Sequence, residues 1–216
     1  MRFIEDIHRF SYFLPILLIL ISRKRNDKAK WVVFYFTVFI TLHNILYASI
    51  LRRSETMGEF FNHLFIPVEF LFISYFFYSF LQIKQHKKTV VVLGTVFILL
   101  WLIFFIKNPH LVFDSVVNGI ESLFIILFSL LFFYEQIKNP HTFFIYMKST
   151  FWISSGFFLF ACITFFAFIY RQAAWQEGDF IYQYAYIHAL SGILRSMLFS
   201  ISTIIPSDKS ASPEFS

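Results

Sequence analysis

Charge is scarce in this chain. Of its 216 residues, 14% are Asp, Glu, Lys or Arg, where a soluble domain carries about 25%. With 58% of residues hydrophobic, no soluble fold of this size could hide its apolar surface, and lipid is the natural solvent. Cysteine is nearly absent as well: the single Cys162 lies in an apolar run, so an intramolecular disulfide is excluded and cysteine says nothing about compartment. Long polar stretches are missing. No connection between apolar runs could house a soluble domain, which excludes kinase, nucleotide-binding and DNA-binding activities within this chain. The sequence falls to one transmembrane domain over 1–204 and a short tail over 205–216, IPSDKSASPEFS, which reads as disordered and cytoplasmic.

What is present is a series of apolar runs near twenty residues, the length that crosses roughly 30 Å of hydrocarbon. They lie at about 5–22, 31–51, 60–82, 89–106, 116–136, 151–170 and 181–204. These predict an all-α membrane protein, a seven-transmembrane-helix bundle. The first run resembles a signal peptide, but its apolar core passes into ISRKRNDKAK without a small-residue cleavage site, so it reads as a retained span. The net charge of +5 does not point to nucleic acid, because the basic residues sit between the apolar runs, where they orient the chain in the bilayer. Arg23, Lys24, Arg25, Lys28, Lys30, Lys84, Lys87, Lys88, Lys138, Lys148 and Lys209 would share one side. They outnumber Arg2, Arg9, Arg52, Arg53, Lys107 and Arg171 on the other. The imbalance predicts the N-terminus outside and the C-terminus inside. The thirty-four phenylalanines read as lipid-facing and packing residues. The segment containing FFIYM, between the fifth and sixth runs, reads as interfacial.

The run from Phe65 to Lys84, FIPVEFLFISYFFYSFLQIK, holds Glu69 well inside hydrocarbon, and GIESLFIILFSLLFFYEQIK places Glu121 at a matching position. An ionisable side chain at such depth costs roughly 2.5–3.5 kcal/mol even on the mildest scale, so it needs a partner or a purpose. The partial match of EFLFISYF with ESLFIILF reads as low complexity, since the spans that follow do not align. Polar residues three, four or seven apart share a helix face. Tyr184, His188, Ser191, Arg195 and Ser202 form one stripe, Asn118, Glu121, Ser122 and Ser129 another, and Asn62 and Glu69 a third. Thr37, Thr41 and Asn44 share a face of the second span, with His43 beside them. At about 1.5 Å per residue, His43, Glu69 and Glu121 reach similar heights, with Arg195 and His188 within reach.

An interior polar cluster of Glu69, Glu121, Arg195, His188, His43, Asn44 and Asn118 is therefore expected, with Arg195 paired to Glu69 or Glu121. Glu135, Asp114 and Glu177, near span ends, read as solvated. The bland reading of the cluster is interhelical glue worth about 0.6–2 kcal/mol for each residue.

In order, the segments IPVEFLFISYFFYSFL, GIESLFIILFSLLFFY, FWISSGFFLF and YIHALSGILRSMLFSI resemble those of uncharacterised seven-span integral membrane proteins of the Bacteroidota. Pro67 to Phe70, Glu121–Ser122 and Phe151 to Gly156 are the marks of the resemblance. Gly192 and Arg195 depart from the more neutral last span of that family. The resemblance implies a seven-span fold, a bacterial inner (cytoplasmic) membrane location and work beside a sensor kinase.

Three functions compete. A sensory or signalling module would bind a small or lipidic ligand in the bundle and act through a cytoplasmic partner. A metal-dependent intramembrane hydrolase would use His43, Glu69, Glu121 and His188 around zinc, although no two histidines share a metal-binding spacing on one helix. A proton-coupled transporter would titrate Glu69 and Glu121. No cofactor is required by the leading reading, and self-association stays open. A retinal photoreceptor is excluded, because the last span has no lysine for a Schiff base.

Overall fold

The computed structural model describes residues 2–21, 27–51, 54–107, 115–138, 144–173 and 178–205. The basic residues Arg23, Lys24, Arg25, Arg52 and Arg53, the acidic Asp114 and Glu177, and the tail from 206 lie outside the described residues. Eight helices follow one another: α1 (Arg2–Ser11), α2 (Phe13–Ile21), α3 (Lys28–Leu51), α4 (Glu55–Phe80), α5 (Lys84–Lys107), α6 (Ser115–Lys138), α7 (Ser149–Ala173) and α8 (Gly178–Ile204). A 3-10 turn, Ile145–Met147, precedes α7. Phe144 before it and Tyr146 and Met147 within it are exposed, as an aromatic segment lying in the interface would be.

Six helices, α3 to α8, are long and apolar enough to cross a membrane, and the all-α bundle is consistent with a multi-pass membrane protein. The first expected span differs from a single rod: it is two short helices broken at Tyr12. The cause is Pro15. Having no N–H, it cannot close the backbone bond to the carbonyl of Ser11. That carbonyl accepts instead from the Ser196 hydroxyl of α8, at 2.5 Å. Pro67 acts alike inside α4. The carbonyl of His63, which it leaves without its helical donor, accepts from the indole N–H of Trp101 on α5, at 3.2 Å.

Consecutive helices pack side by side from α2 to α8, and α8 returns to pack on α1, α2 and α3. Only 11% of the α5 span is buried within the bundle, against 50% of the α8 span, so α5 is the outer stave and α8 the inner one. Two glycines let side chains come close. A Cβ on Gly156 would lie 2.8 Å from Cε1 of the buried Phe199 ring, and one on Gly192 would collide with His8 Nε2 and crowd the Tyr12 hydroxyl.

Along its axis the bundle is layered. Beside the central polar residues lies an aromatic layer of Phe36, Phe76, Phe77, Phe128, Phe157 and Phe199. Phe157 makes edge contacts with Phe36 at 5.2 Å and Phe199 at 5.1 Å between centroids. Beyond it, at the end where α4 stops and α5 begins, polar clamps tie the helices. Glu135 of α6 accepts from the backbone amides of Gln82 (2.6 Å) and Ile83 (3.0 Å), and its Oε1 is 2.7 Å from His86 Nδ1. It thereby caps the first turn of α5, whose leading amides have no helical acceptor. Glu135 is 6% exposed, so the expectation of a solvated carboxylate is corrected: the α4–α5 turn folds over it.

At the same end Asp27 caps α3 through the Ala29 amide (3.0 Å) and accepts from Ser149 of α7 (2.9 Å). Lys30 is buried and donates to the carbonyls of Thr203 (2.9 Å) and Ile205 (2.8 Å) at the end of α8. A lysine there satisfies carbonyls that a helix end leaves open and complements its dipole.

Candidate functional site: an interior polar chamber

Arg195 lies midway along α8 and is 3% exposed. Its Nη1 donates to Glu69 Oε1 of α4 at 2.9 Å, and its Nη2 to the hydroxyl of Tyr12, at the α1–α2 break, at 3.0 Å. The guanidinium carbon stands 3.8 Å from the centroid of the Phe160 ring of α7, a cation–π contact strengthened by burial. Tyr12 is linked in turn to His8 Nε2 at 3.1 Å. One side chain thus gathers the broken N-terminal helix pair, α4 and α7 onto α8.

Around this pair lies a cavity of about 130 Å³, lined by all seven expected cluster residues: His43, Asn44, Glu69, Asn118, Glu121, His188 and Arg195. Of the two carboxylates expected as partners of Arg195, Glu69 takes the guanidinium. Glu121 is 8% exposed, and its Oε1 has no hydrogen-bond partner among the described residues. The same holds for His43 Nε2, Asn44 Nδ2 and Arg195 Nε. Such a set of buried polar atoms without partners is costly in a low dielectric.

The four donors named for a metal do not form a centre. Among the described residues no three of His, Cys, Asp and Glu come together as a metal site. Glu69 is occupied by Arg195. His43 is stacked on Phe65 at 3.8 Å and on Phe61 at 5.1 Å. His188 packs edgewise against Phe160 and His8. Aromatic packing and the guanidinium thus engage three of the four residues named for zinc, Glu69, His43 and His188.

Sequence reasoning missed His8, Tyr12, Phe160 and Thr164 as lining residues. His8 and Tyr12 were legible as an i, i+4 pair ahead of Pro15, on one helix face. Thr164 was legible as a lone hydroxyl in FACITFF. Its Oγ1 lies 3.4 Å from Ser122 Oγ.

The fold and site define a class: an all-helical bundle of membrane-spanning character with an interior polar chamber around an Arg–Glu pair. No family model, curated protein or solved structure matches this chain.

Proposed function

We propose that the chain is a membrane sensory or signalling module. In this reading seven segments cross the bacterial inner membrane, N-terminus outside and C-terminus inside. The chamber takes a small polar ligand, and the inner end acts on a cytoplasmic partner such as a sensor kinase. The observation that carries the reading is the company of Arg195. It stands in one cavity with two carboxylates, of which Glu69 is engaged and Glu121 Oε1 is not. A guanidinium with an engaged and an unengaged acid nearby is a two-state element that a ligand or a proton can bias. Simple glue would leave no polar atom open.

Size favours a small ligand over a lipidic one. The chamber of about 130 Å³ has room for about four waters at ~30 Å³ each, far less than the roughly 300–1,000 Å³ of pockets for drug-sized molecules. Bulky phenylalanine rings crowd the way from the chamber to the inner end, which supports a sensor over a proton-coupled transporter.

The test is thiol accessibility. Asn62→Cys and Asn44→Cys, each in a Cys162→Ser background, would be exposed to a small charged thiol reagent on either side of sealed vesicles. Labelling from the outer side alone is expected. Labelling from both sides would favour the transporter, and none from either side would overturn the chamber as a binding site.

A further inference from the structure

We infer that the chamber binds one monovalent alkali cation, of sodium type, at Glu121, with Asn118, Ser122 and Thr164 as neutral oxygen donors. The inference deepens the proposed function and rests on its chamber being open to solutes.

The argument begins with charge. Arg195 brings one positive charge to the cavity, and Glu69 and Glu121 bring two negative ones. The other ionisable groups facing Glu121 across the cavity are the imidazoles of His8 on α1, His43 on α3 and His188 on α8, and the Tyr12 phenol. A neutral imidazole or phenol adds nothing to the balance. With both acids ionised the chamber lacks one positive charge, and an unbalanced buried charge is expensive. Glu121 Oε1 is buried and without a partner among the described residues, so the missing positive charge belongs there, carried by a cation or, in the competing case, by a proton.

Donor chemistry selects the occupant. Asn118, Glu121 and Ser122 stand at i, i+3 and i+4 on α6, hence on one face. The Ser122 and Thr164 hydroxyls are 3.4 Å apart across the α6–α7 contact, and all four residues line the cavity. Carboxylate, amide carbonyl and hydroxyl oxygens suit hard cations rather than zinc or copper. A divalent ion would overshoot the charge by one. A single alkali ion closes the balance, and the cavity leaves room for water to complete its shell. Thr164 also accounts for its own placement, since its hydroxyl already back-bonds to the Phe160 carbonyl at 2.8 Å and keeps its oxygen lone pairs available.

Purified protein should bind sodium-22 saturably, one ion per chain. Its melting temperature should rise by several degrees when sodium chloride replaces N-methylglucamine chloride at constant ionic strength. Glu121→Gln should abolish both effects. Should that variant fail to fold, Thr164→Val, which keeps the shape and loses the oxygen, should weaken sodium binding at least tenfold. Absence of any sodium, potassium or lithium response in wild-type protein overturns the inference, as does a melting temperature that follows pH alone, which would make the occupant a proton. Either result leaves the accessible chamber standing. Thiol reagents that reach neither Asn62→Cys nor Asn44→Cys would remove the chamber itself.

Discussion

Trp101 of α5 donates its indole N–H to the carbonyl of His63 in α4, 3.2 Å away. This is the carbonyl that loses its helical donor to Pro67, four residues on. Ser196 of α8 does the same for Ser11, whose carbonyl is left open by Pro15. In both places a proline opens a backbone bond and a neighbouring helix closes it. The two repairs tie α4 to α5 and the N-terminal helix pair to α8, next to the chamber.

Trp101→Phe should cost about 0.5–1.5 kcal/mol, the net worth of one such bond. Pro67→Ala restores an amide donor for the same carbonyl. In the Pro67→Ala background the tryptophan substitution should therefore cost less. Unfolding in detergent across the four proteins measures the coupling. Purely additive costs would contradict the repair.

The helices and the membership of the chamber were largely legible in the sequence. Length and apolarity set the six long helices, and 3.6-residue periodicity turned Glu69, Glu121, His188 and Arg195 inward. The first segment was not legible as two helices, because the effect of Pro15 depends on whether a donor stands ready on another helix. Glu135 was misread for a related reason. Its position near a span end suggests water, and only the fold of the α4–α5 turn brings two amides to it. The choice of Glu69 over Glu121 was out of reach too, since equal depth does not fix rotation about a helix axis.

Glu135→Ala should release the Gln82 and Ile83 amides. In hydrogen exchange the segment 82–86 should then become markedly faster, while the chamber helices keep their protection. The loss of stability should be about 1–3 kcal/mol, the cost of leaving such groups unpaired. Unchanged exchange at 82 and 83 would show that the carboxylate does not hold the turn.

Two glycines should respond in opposite directions to the same change. Gly156→Ala puts a methyl 2.8 Å from the Phe199 ring inside the aromatic layer, and overpacking of that kind costs about 1–3 kcal/mol. Gly119→Ala meets nothing within 4 Å and should gain about 0.5–1 kcal/mol of helix propensity. Thermal unfolding distinguishes them. A stabilised Gly156→Ala would contradict the close packing of α7 on α8.

The central claim is that Arg195 and Glu69 form a switch and do more than hold helices together. Removing one partner, by Glu69→Gln or Arg195→Met, should destabilise by about 3–5 kcal/mol, and removing both should restore most of the loss. The deciding measurement is made on that double variant. Spin labels at the exposed positions Lys28 and Ile204, in a Cys162→Ser background, report the distance between α3 and α8 at the end of the bundle where α3 begins and α8 stops. The account predicts a double variant that regains most of the lost stability but shows a shifted or broadened distance distribution. Wild-type stability together with the wild-type distribution would reduce the pair to glue.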